Sequence, residues 1–377
     1  MFFKKKDNYL GVDIGSSSIK IVELVNFRGR PRLATYGFTE KNPNNINESS
    51  LIFDIDEIAS IISEICRKAK VSSNKAIAAL PNFSVFSSII TLPEMSDKEL
   101  NSAIQWEAKK IMPLPLEEVV LNWNKIEEIT LSSDFYKNQL DNNVEKSIDI
   151  SQEANPFKKI FSKPKKNVKI LLTGANKSLI KQYIEIFKKA NLNLLSLETE
   201  SFALIRSLVG ADLSNIMIID MGASTSSITV VSKGIPVITR SLELGGLSIT
   251  KAISNSLNIN LERAEQFKQD LSLDSETAEN SLPQTVEKAF APILNEIRYT
   301  INLYNEVHSS KVEKIILTGG TAMLGHLTGY LSSVFNINCY IGDPWAKTIY
   351  PLDLKPVLTR IGPRFSVAIG LAMKEIF

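Results

Sequence analysis

One pattern occurs twice in this chain, and it restricts the fold more than any other feature. Leu10–Lys20 reads LGVDIGSSSIK, and Ile218–Val231 reads IIDMGASTSSITVV. Each copy is an apolar run, an acid, a spacer, a glycine, a cluster of hydroxyls and a second apolar run. Asp220 and Gly222 repeat the spacing of Asp13 and Gly15. The interval between the copies is too long for a solenoid, so the repeat marks a duplicated domain. A chain of 377 residues also exceeds a single core and accommodates two to four structural units.

The repeated stretch has two chemical readings, a polar turn between strands or a phosphate site. The sequence contains no G-x-x-x-x-G-K-S/T, which excludes a P-loop, and Gly15 does not open a helix as a dinucleotide fingerprint requires. Residues 19–24 instead alternate apolar and polar, as a strand does. The motif is therefore a β-hairpin with a polar tip. Such a tip can aim several backbone N–H groups at one anion. Gly15 tolerates the backbone geometry and lets an anion approach. Lys20 adds positive charge, and Asp13 at the strand end can hold Mg²⁺ through its water shell. One hairpin leaves both readings open. Two facing hairpins can clamp a polyphosphate from both sides, with Asp13 and Asp220 flanking one metal.

Two later elements extend the pattern. In LTGGTA, Gly319 and Gly320 lie between a strand and a helix and let a flat base rest on backbone. Glu265 and Lys268 share a helix face at i, i+3. They are either a surface ion pair or a pair that bonds a ribose and a base edge.

Between these elements the chain alternates helical and strand periodicities. IDEIASIISEICRKAK is an amphipathic helix with Ile58, Ile61, Ile62 and Ile65 on one face, followed by the strands KAIAALP and SVFSSIITLP. Ser96 and Glu99 form a capping box that opens a helix with the stripe Leu100, Ile104, Ala108 and Ile111, stopped by Pro113 and Pro115. VVLNWNKIEEI reads as a strand. From about Leu131 to Lys166 the chain is polar and aperiodic and ends in the basic KKIFSKPKK, either a solvated tether or a docking patch. Then come the strand NVKILLTGA, the helix KSLIKQYIEIFKKAN, and LNLLSLETESFALIRSLV as strand and helix. Later helices are LERAEQFKQDL, a long one from about Pro283 to Val307, and a closing amphipathic helix, RFSVAIGLAMKEIF.

Composition removes several functional classes. The formal net charge of +2 gives no reason to expect nucleic acid. Two distant cysteines, Cys66 and Cys339, argue against a disulfide scaffold or zinc site and fit a reducing cytosol, and two histidines, His308 and His326, are too few for a metal cluster. No apolar run approaches the ~20 residues of a membrane span, and the start is no signal peptide. Phe2, Phe3 and Lys4–Lys6 are either a solvated terminus or a contact for an anionic membrane surface.

The order of these elements resembles the actin-like ATPase superfamily: first phosphate hairpin, connecting helix, second phosphate hairpin, then the double glycine. Within it the chain resembles the PilM family of type IV pilus assembly proteins, related to FtsA. The residues that carry the resemblance are GVDIGSSSIKIVEL, TLPEMSDKELNSAIQWEAKKIMPLPLEEVVLNW, LETESFALIRSL, IIDMGASTSSITVV, LELGGLSITKAI with AEQFK, and LTGGTAMLGHL. They span the chain apart from the Leu131–Lys166 insertion. The resemblance implies an α/β fold, the actin-like (ribonuclease H-like) duplicated two-lobe fold with a small inserted α+β subdomain. The expected first lobe is 1–83 with 167–210 and 362–377. The inserted subdomain is 84–166, with a mobile polar segment at about 131–166. The second lobe is 211–361, with a small subdomain at about 249–309.

The resemblance also implies the ligands ATP and Mg²⁺. Asp13 and Asp220 would lie near Mg²⁺, through water. Gly15, Ser16, Ser17, Ser18 and Lys20 would hold phosphates from one side, and Gly222, Ala223, Ser224, Thr225 and Ser226 from the other. Glu265, Lys268, Gly319 and Gly320 would meet the nucleoside. Glu200 matches the position of a residue near the attacking water and is the catalytic candidate. Ala223 stands where hydrolysing relatives such as actin carry an acid, a feature shared by PilM-like sequences. Loss of that carboxylate implies ATP binding with slow turnover at best.

Family members bind the short cytoplasmic N-terminal tail of PilN, in a groove beside the inserted domain. That implies a cytoplasmic protein, peripheral at the inner face of the cytoplasmic membrane, with membrane contact only indirect. Residues 84–123 are the expected docking region. Other pilus platform proteins and self-association are further expected partners, and nucleic acid is not. Two alternatives are an FtsA-like filament-forming division protein and a sugar kinase of the same superfamily. FtsA-like chains usually carry a terminal amphipathic membrane helix beyond the fold, whereas this sequence stops at Phe377. A sugar kinase needs a substrate-facing aspartate in the first lobe, and no motif supplies one.

Overall fold

The repeated pattern folds twice into the same hairpin. A computed structural model describes residues 8–41, 43–45, 54–126, 167–271, 282–308 and 310–377. The first hairpin joins β1 (Asn8–Ile14) and β2 (Ser18–Phe27), with Asp13 opposite Lys20 and Ile14 opposite Ile19. The second joins β9 (Ile216–Met221) and β10 (Ser226–Ser232), with Asp220 opposite Ser227. The Leu131–Lys166 insertion, its KKIFSKPKK end and the Phe2–Lys6 stretch lie outside the described residues.

The two hairpins seed sheets of identical topology. In the first lobe, β3 (Arg30–Glu40), β4 (Lys75–Leu80) and β8 (Asn193–Thr199) extend the hairpin in the order β3-β2-β1-β4-β8. In the second, β11 (Ile235–Leu242), β12 (Lys314–Thr318) and β13 (Asn338–Ile341) give β11-β10-β9-β12-β13. β4 runs parallel to β1 and β12 parallel to β9, and helices must carry those crossovers. Helix α1 (Ile55–Lys68) is one such crossover. Its Asp54 cap accepts from the backbone N–H groups of Asp56 and Glu57, and it buries Ile58, Ala59, Ile62 and Ile65. The expected stripe differs in one member: Ile61 is only half-buried, and Ala59 takes its place.

Residues 86–177 form a separate compact unit, and 1–85 with 178–377 form the other. In the smaller unit α2 (Asp97–Ile111) begins at the expected capping box, with Ser96 and Glu99 bonded reciprocally. It packs Leu100, Ile104 and Ala108 on a sheet of β5 (Val85–Pro93), β6 (Val119–Lys125) and β7 (Asn167–Asn176), in the order β5-β7-β6. The strand Asn167–Asn176, which the sequence reading gives to the first lobe, is thus the central strand of this sheet.

The larger unit continues through α3 (Lys177–Lys189) and β8 to α4 (Glu200–Leu204), the start of the connecting segment. Two sequence expectations need correction here and at the end. The helix after β8 does not run on uniformly: Ile205–Val209 is a π-helical turn closed by Gly210 at φ +62°. The closing helix, α9 (Lys355–Met373), begins nine residues before the expected Arg364 and is not amphipathic, being buried on every side from Gly362 to Met373 except at Arg364. Pro363 hid this, because a proline reads as a helix break. Its carbonyl accepts from the backbone N–H of Gly319 at 3.0 Å and the Thr318 hydroxyl at 2.9 Å. The helix touches backbone directly at two glycines. A Cβ on Gly11 would lie 1.9 Å from the Ala368 carbonyl oxygen, and one on Gly370 equally close to that of Ala203.

The second lobe's core gathers Ile219, Ile228, Phe290, Ile297 and Leu317 beneath α5 (Gly246–Leu257), α6 (Leu261–Leu271), α7 (Gln284–Val307) and α8 (Leu327–Phe335). A shared apolar interface of Ile77, Ala79, Ile216, Ile218 and Val231 joins the two lobes.

Candidate functional site

The two hairpin tips face each other across a cleft of about 750 Å³ between the lobes. Each tip is pinned in the same way: Gly15 N–H donates to the Ser18 carbonyl at 3.0 Å, and Gly222 N–H to the Thr225 carbonyl at 2.9 Å. The cleft is lined by Asp13, Gly15, Ser16, Ser17, Ser18 and Lys20 from one side and by Asp220, Gly222, Ala223, Thr225 and Ser226 from the other. Glu200, Glu265, Lys268, Gly319 and Gly320 also line it. Of the residues singled out from sequence only Ser224 is not in the lining. Its hydroxyl turns to the opposite tip and donates to Ser16 Oγ at 2.7 Å.

The charges at the centre are crowded. Lys20 Nζ lies 3.0 Å from Asp13 Oδ2, with both side chains nearly enclosed. Burial pushes the Glu200 carboxyl up to about 8, with the Asp220 and Asp13 carboxylates adding to it, while the Asn82 N–H and Lys20 oppose. Burial and Asp13 push Asp220 up to about 6, with Lys20 again opposing. Enclosed acids short of positive charge hold protons above their ordinary range. Among the described residues no three acid, histidine or cysteine side chains converge tightly enough to ligate a metal directly. The donor set fits a hard cation that keeps its own waters, with Asp13 and Asp220 as outer partners.

The nucleoside candidates form a second cluster. Lys268 Nζ donates to Glu265 Oε2 at 2.7 Å, to Thr250 Oγ1 at 2.9 Å and to the Gly246 carbonyl at 3.1 Å. Thr250 also donates to Glu265 at 2.6 Å. Burial raises the Glu265 carboxyl, but Lys268 and Thr250 more than offset it and hold it below its usual value. The i, i+3 pair is therefore tied into a fixed polar corner and is more than a loose surface pair. Gly319 takes φ +84°, and a Cβ there would lie 2.4 Å from the Met221 carbonyl oxygen; at Gly320 nothing stands within 4 Å. The first glycine is needed by the chain, and the second leaves a flat open step. The helix does not follow at once: Gly320–Met323 is a 3₁₀ turn before α8.

Sequence reasoning missed Asn82 and Arg364. Asn82 follows β4, lines the cleft and donates its backbone N–H to Glu200 Oε2 at 2.9 Å. The duplicated strand register relates it to a residue of the second lobe. Val12 pairs with Ala78 and Asp220 with Thr318, so three residues beyond the two acids' partners lie Asn82 in one lobe and Thr321 in the other, both in 3₁₀ turns. Arg364 lines the same cleft, pairs with Glu40 and lies over the Phe38 ring.

Two lobes of one topology, each presenting an acid-glycine hairpin to a shared cleft, define an actin-like fold. The sequence profile described as Type IV pilus assembly protein PilM matches residues 11–155 and 155–376. The chain belongs to that family. A solved structure described as a PilM-PilN type IV pilus biogenesis complex superposes with a TM-score of 0.75 at 23% identity, covering 98% of each chain. The ethanolamine utilization protein EutJ from Carboxydothermus hydrogenoformans superposes at 0.54 with 15% identity, covering 97% of this chain and 89% of that one. The cell division protein FtsA of Agrobacterium fabrum is 26% identical over 176 residues, 41% of this chain. That match spans only 38% of the FtsA chain's own length.

Proposed function

We propose that this chain is an ATP-binding docking component of a type IV pilus assembly platform, whose nucleotide state tunes a site for the cytoplasmic tail of a PilN-type protein. The observation that carries the nucleotide half is the facing pair of hairpins. Asp13 and Lys20 on one side and Asp220 on the other face a cleft lined by the hydroxyl residues Ser16, Ser17, Ser18, Thr225 and Ser226 of the two tips. Mg²⁺ would supply charge neutralisation between Asp13 and Asp220, while Lys20 and the tip residues orient phosphate oxygens. Gly320 and the Glu265–Lys268 corner receive the nucleoside. With Ala223 in the second tip, Glu200 is left as the acid for orienting water, and hydrolysis is slow or absent.

Family membership and the fold shared with a PilM–PilN complex support the partner half. Residues 84–123 remain the expected docking region. Within the smaller unit they display Trp106, 68% exposed with the Lys110 ammonium 4.7 Å from its ring centre, a surface suited to an extended peptide with apolar side chains. The described residues include no helix long and apolar enough to cross a membrane, so attachment to the inner membrane face would run through the partner. Titration of the cognate PilN-type tail peptide, with and without ATP and Mg²⁺, tests the reading. Saturable binding whose affinity shifts with nucleotide supports it; no binding under any nucleotide condition overturns it. The FtsA match favours a second reading, filament formation, which ATP-dependent sedimentation of long polymers would establish.

A further inference from the structure

The floor of the cleft holds a polar seam that joins the two lobes. Asn82 is 7% exposed, Ser201 2%, Ser227 9% and Thr229 1%. Asn82 Nδ2 donates to Ser227 Oγ at 3.2 Å. Asn82 Oδ1 accepts from the Ser201 backbone N–H at 3.2 Å and from its hydroxyl at 2.9 Å. The Ser201 and Thr229 hydroxyls are hydrogen-bonded at 3.1 Å. Asn82 and Ser201 belong to the first lobe, at the end of β4 and the start of α4. Ser227 and Thr229 lie two apart on β10 and so share the face turned to that lobe. The seam therefore joins the strand behind the second hairpin tip to the connecting helix, directly beside Glu200.

Its chemistry differs from that of the rest of the interface. Ile77, Ala79, Ile216, Ile218 and Val231 meet through apolar contact. At the cleft edge the same interface switches to an amide and three hydroxyls. Buried polar groups hold together when paired, since leaving one unpaired is unfavourable, yet they can rebond to water if the surfaces part. The duplication sharpens the point. The hydroxyl of Thr321, the counterpart of Asn82, donates within its own lobe, to the Gly222 carbonyl at 3.4 Å. Ser227 occupies in the second hairpin the register position that Lys20 occupies in the first. The second copy has thus exchanged a cation for a hydroxyl that reads across to Asn82.

We infer that Asn82 is a positioning residue: its side-chain amide latches the lobes at the cleft floor and so fixes the separation of the two hairpins and the placement of Glu200. What it positions rests on the nucleotide reading above; the latch itself does not. Two variants, Ser227→Ala and Thr229→Val, remove the interlobe bonds while leaving Asn82 and its bond to Glu200 in place. Asn82→Ala is the stronger but riskier change.

The test is pulsed electron–electron spin resonance on the full chain. Labels go on Ser60→Cys in α1 and Asn302→Cys in α7, both exposed, with Cys66 and Cys339 replaced by serine. Without nucleotide, Ser227→Ala and Thr229→Val should lengthen and broaden the interlobe distance distribution. Distributions that coincide with the parent overturn the inference. In the same variants ATP affinity should fall about fivefold and AMP affinity stay unchanged, because only ATP needs both tips. Equal losses for ATP and AMP would show a merely structural role and overturn the positioning claim. If the parent binds neither nucleotide while the distances still shift, the nucleotide reading fails and the latch stands.

Discussion

Ser224 and Ser16, one from each hairpin tip, are bonded to each other at 2.7 Å across the mouth of the cleft. Ser16 lines the cleft and Ser224 does not. The two serines look equivalent in sequence, yet they should respond differently to truncation. Ser16→Ala removes a donor from the phosphate side and should weaken ATP binding about tenfold, as loss of one charge-assisted hydrogen bond does. Ser224→Ala removes the bond to Ser16 and no group from the lining of the cleft, so affinity should stay level or rise. Equilibrium titration with a fluorescent ATP analogue separates the two. Equal losses would contradict the placement.

Lys20 sets its ammonium among the central acids, 3.0 Å from Asp13 and drawing down both Glu200 and Asp220. Lys20→Met takes away the ammonium that opposes the raised Glu200 and Asp220 carboxyls and removes a positive charge from the proposed phosphate side. ATP affinity should fall about tenfold or more, since losing one charge-assisted hydrogen bond to phosphate costs about 1.5–3 kcal/mol. Isothermal titration with ATP and Mg²⁺ checks this, and a Kd within twofold of the parent would count against the phosphate reading.

The adjacent glycines offer a cleaner contrast. Gly319 sits at φ +84° with the Met221 carbonyl oxygen 2.4 Å from where a Cβ would stand. Gly319→Ala should destabilise the fold by at least about 2 kcal/mol. At Gly320 nothing lies within 4 Å, so Gly320→Ala should leave the melting temperature nearly unchanged. Its methyl group would instead protrude into the proposed nucleoside slot and weaken ATP more than inorganic tripolyphosphate. Thermal denaturation and competition binding read the two effects separately.

The contrast also shows what the sequence could disclose. The hairpins were legible because each is local: acid, glycine, hydroxyls and strand periodicity lie within one short stretch, and the duplication doubled the signal. The capping box at Ser96 and Glu99 was legible for the same reason. Asn82 was not, because its partners Ser201, Ser227 and Thr229 are far away in sequence and an isolated Pro-Asn reads as a turn. The closing helix was misread at Pro363, whose carbonyl bonds are made to Thr318 and Gly319 in another element. Ser224 carries the right chemistry at the right spacing, but the direction of a side chain at a hairpin tip depends on what stands opposite.

Lys347 gives a pH-dependent prediction away from the cleft. Its ammonium donates to the Arg206 carbonyl at 2.9 Å and to that of Ser207 at 3.4 Å, within the π-helical turn. Burial pushes it down to about 8 from the ordinary lysine value of 10.5. Between those values the unfolded chain holds the proton and the folded chain does not. Stability therefore rises with pH across that window, and below it the burden of the enclosed charge is fully present. The measurement is chemical denaturation of the parent and Lys347→Met from pH 7 to 10.5, with the difference removing groups common to both. The parent should gain roughly 1–3 kcal/mol relative to the variant over that range. A flat difference would mean that the carbonyls of Arg206 and Ser207 compensate the charge as well as water does.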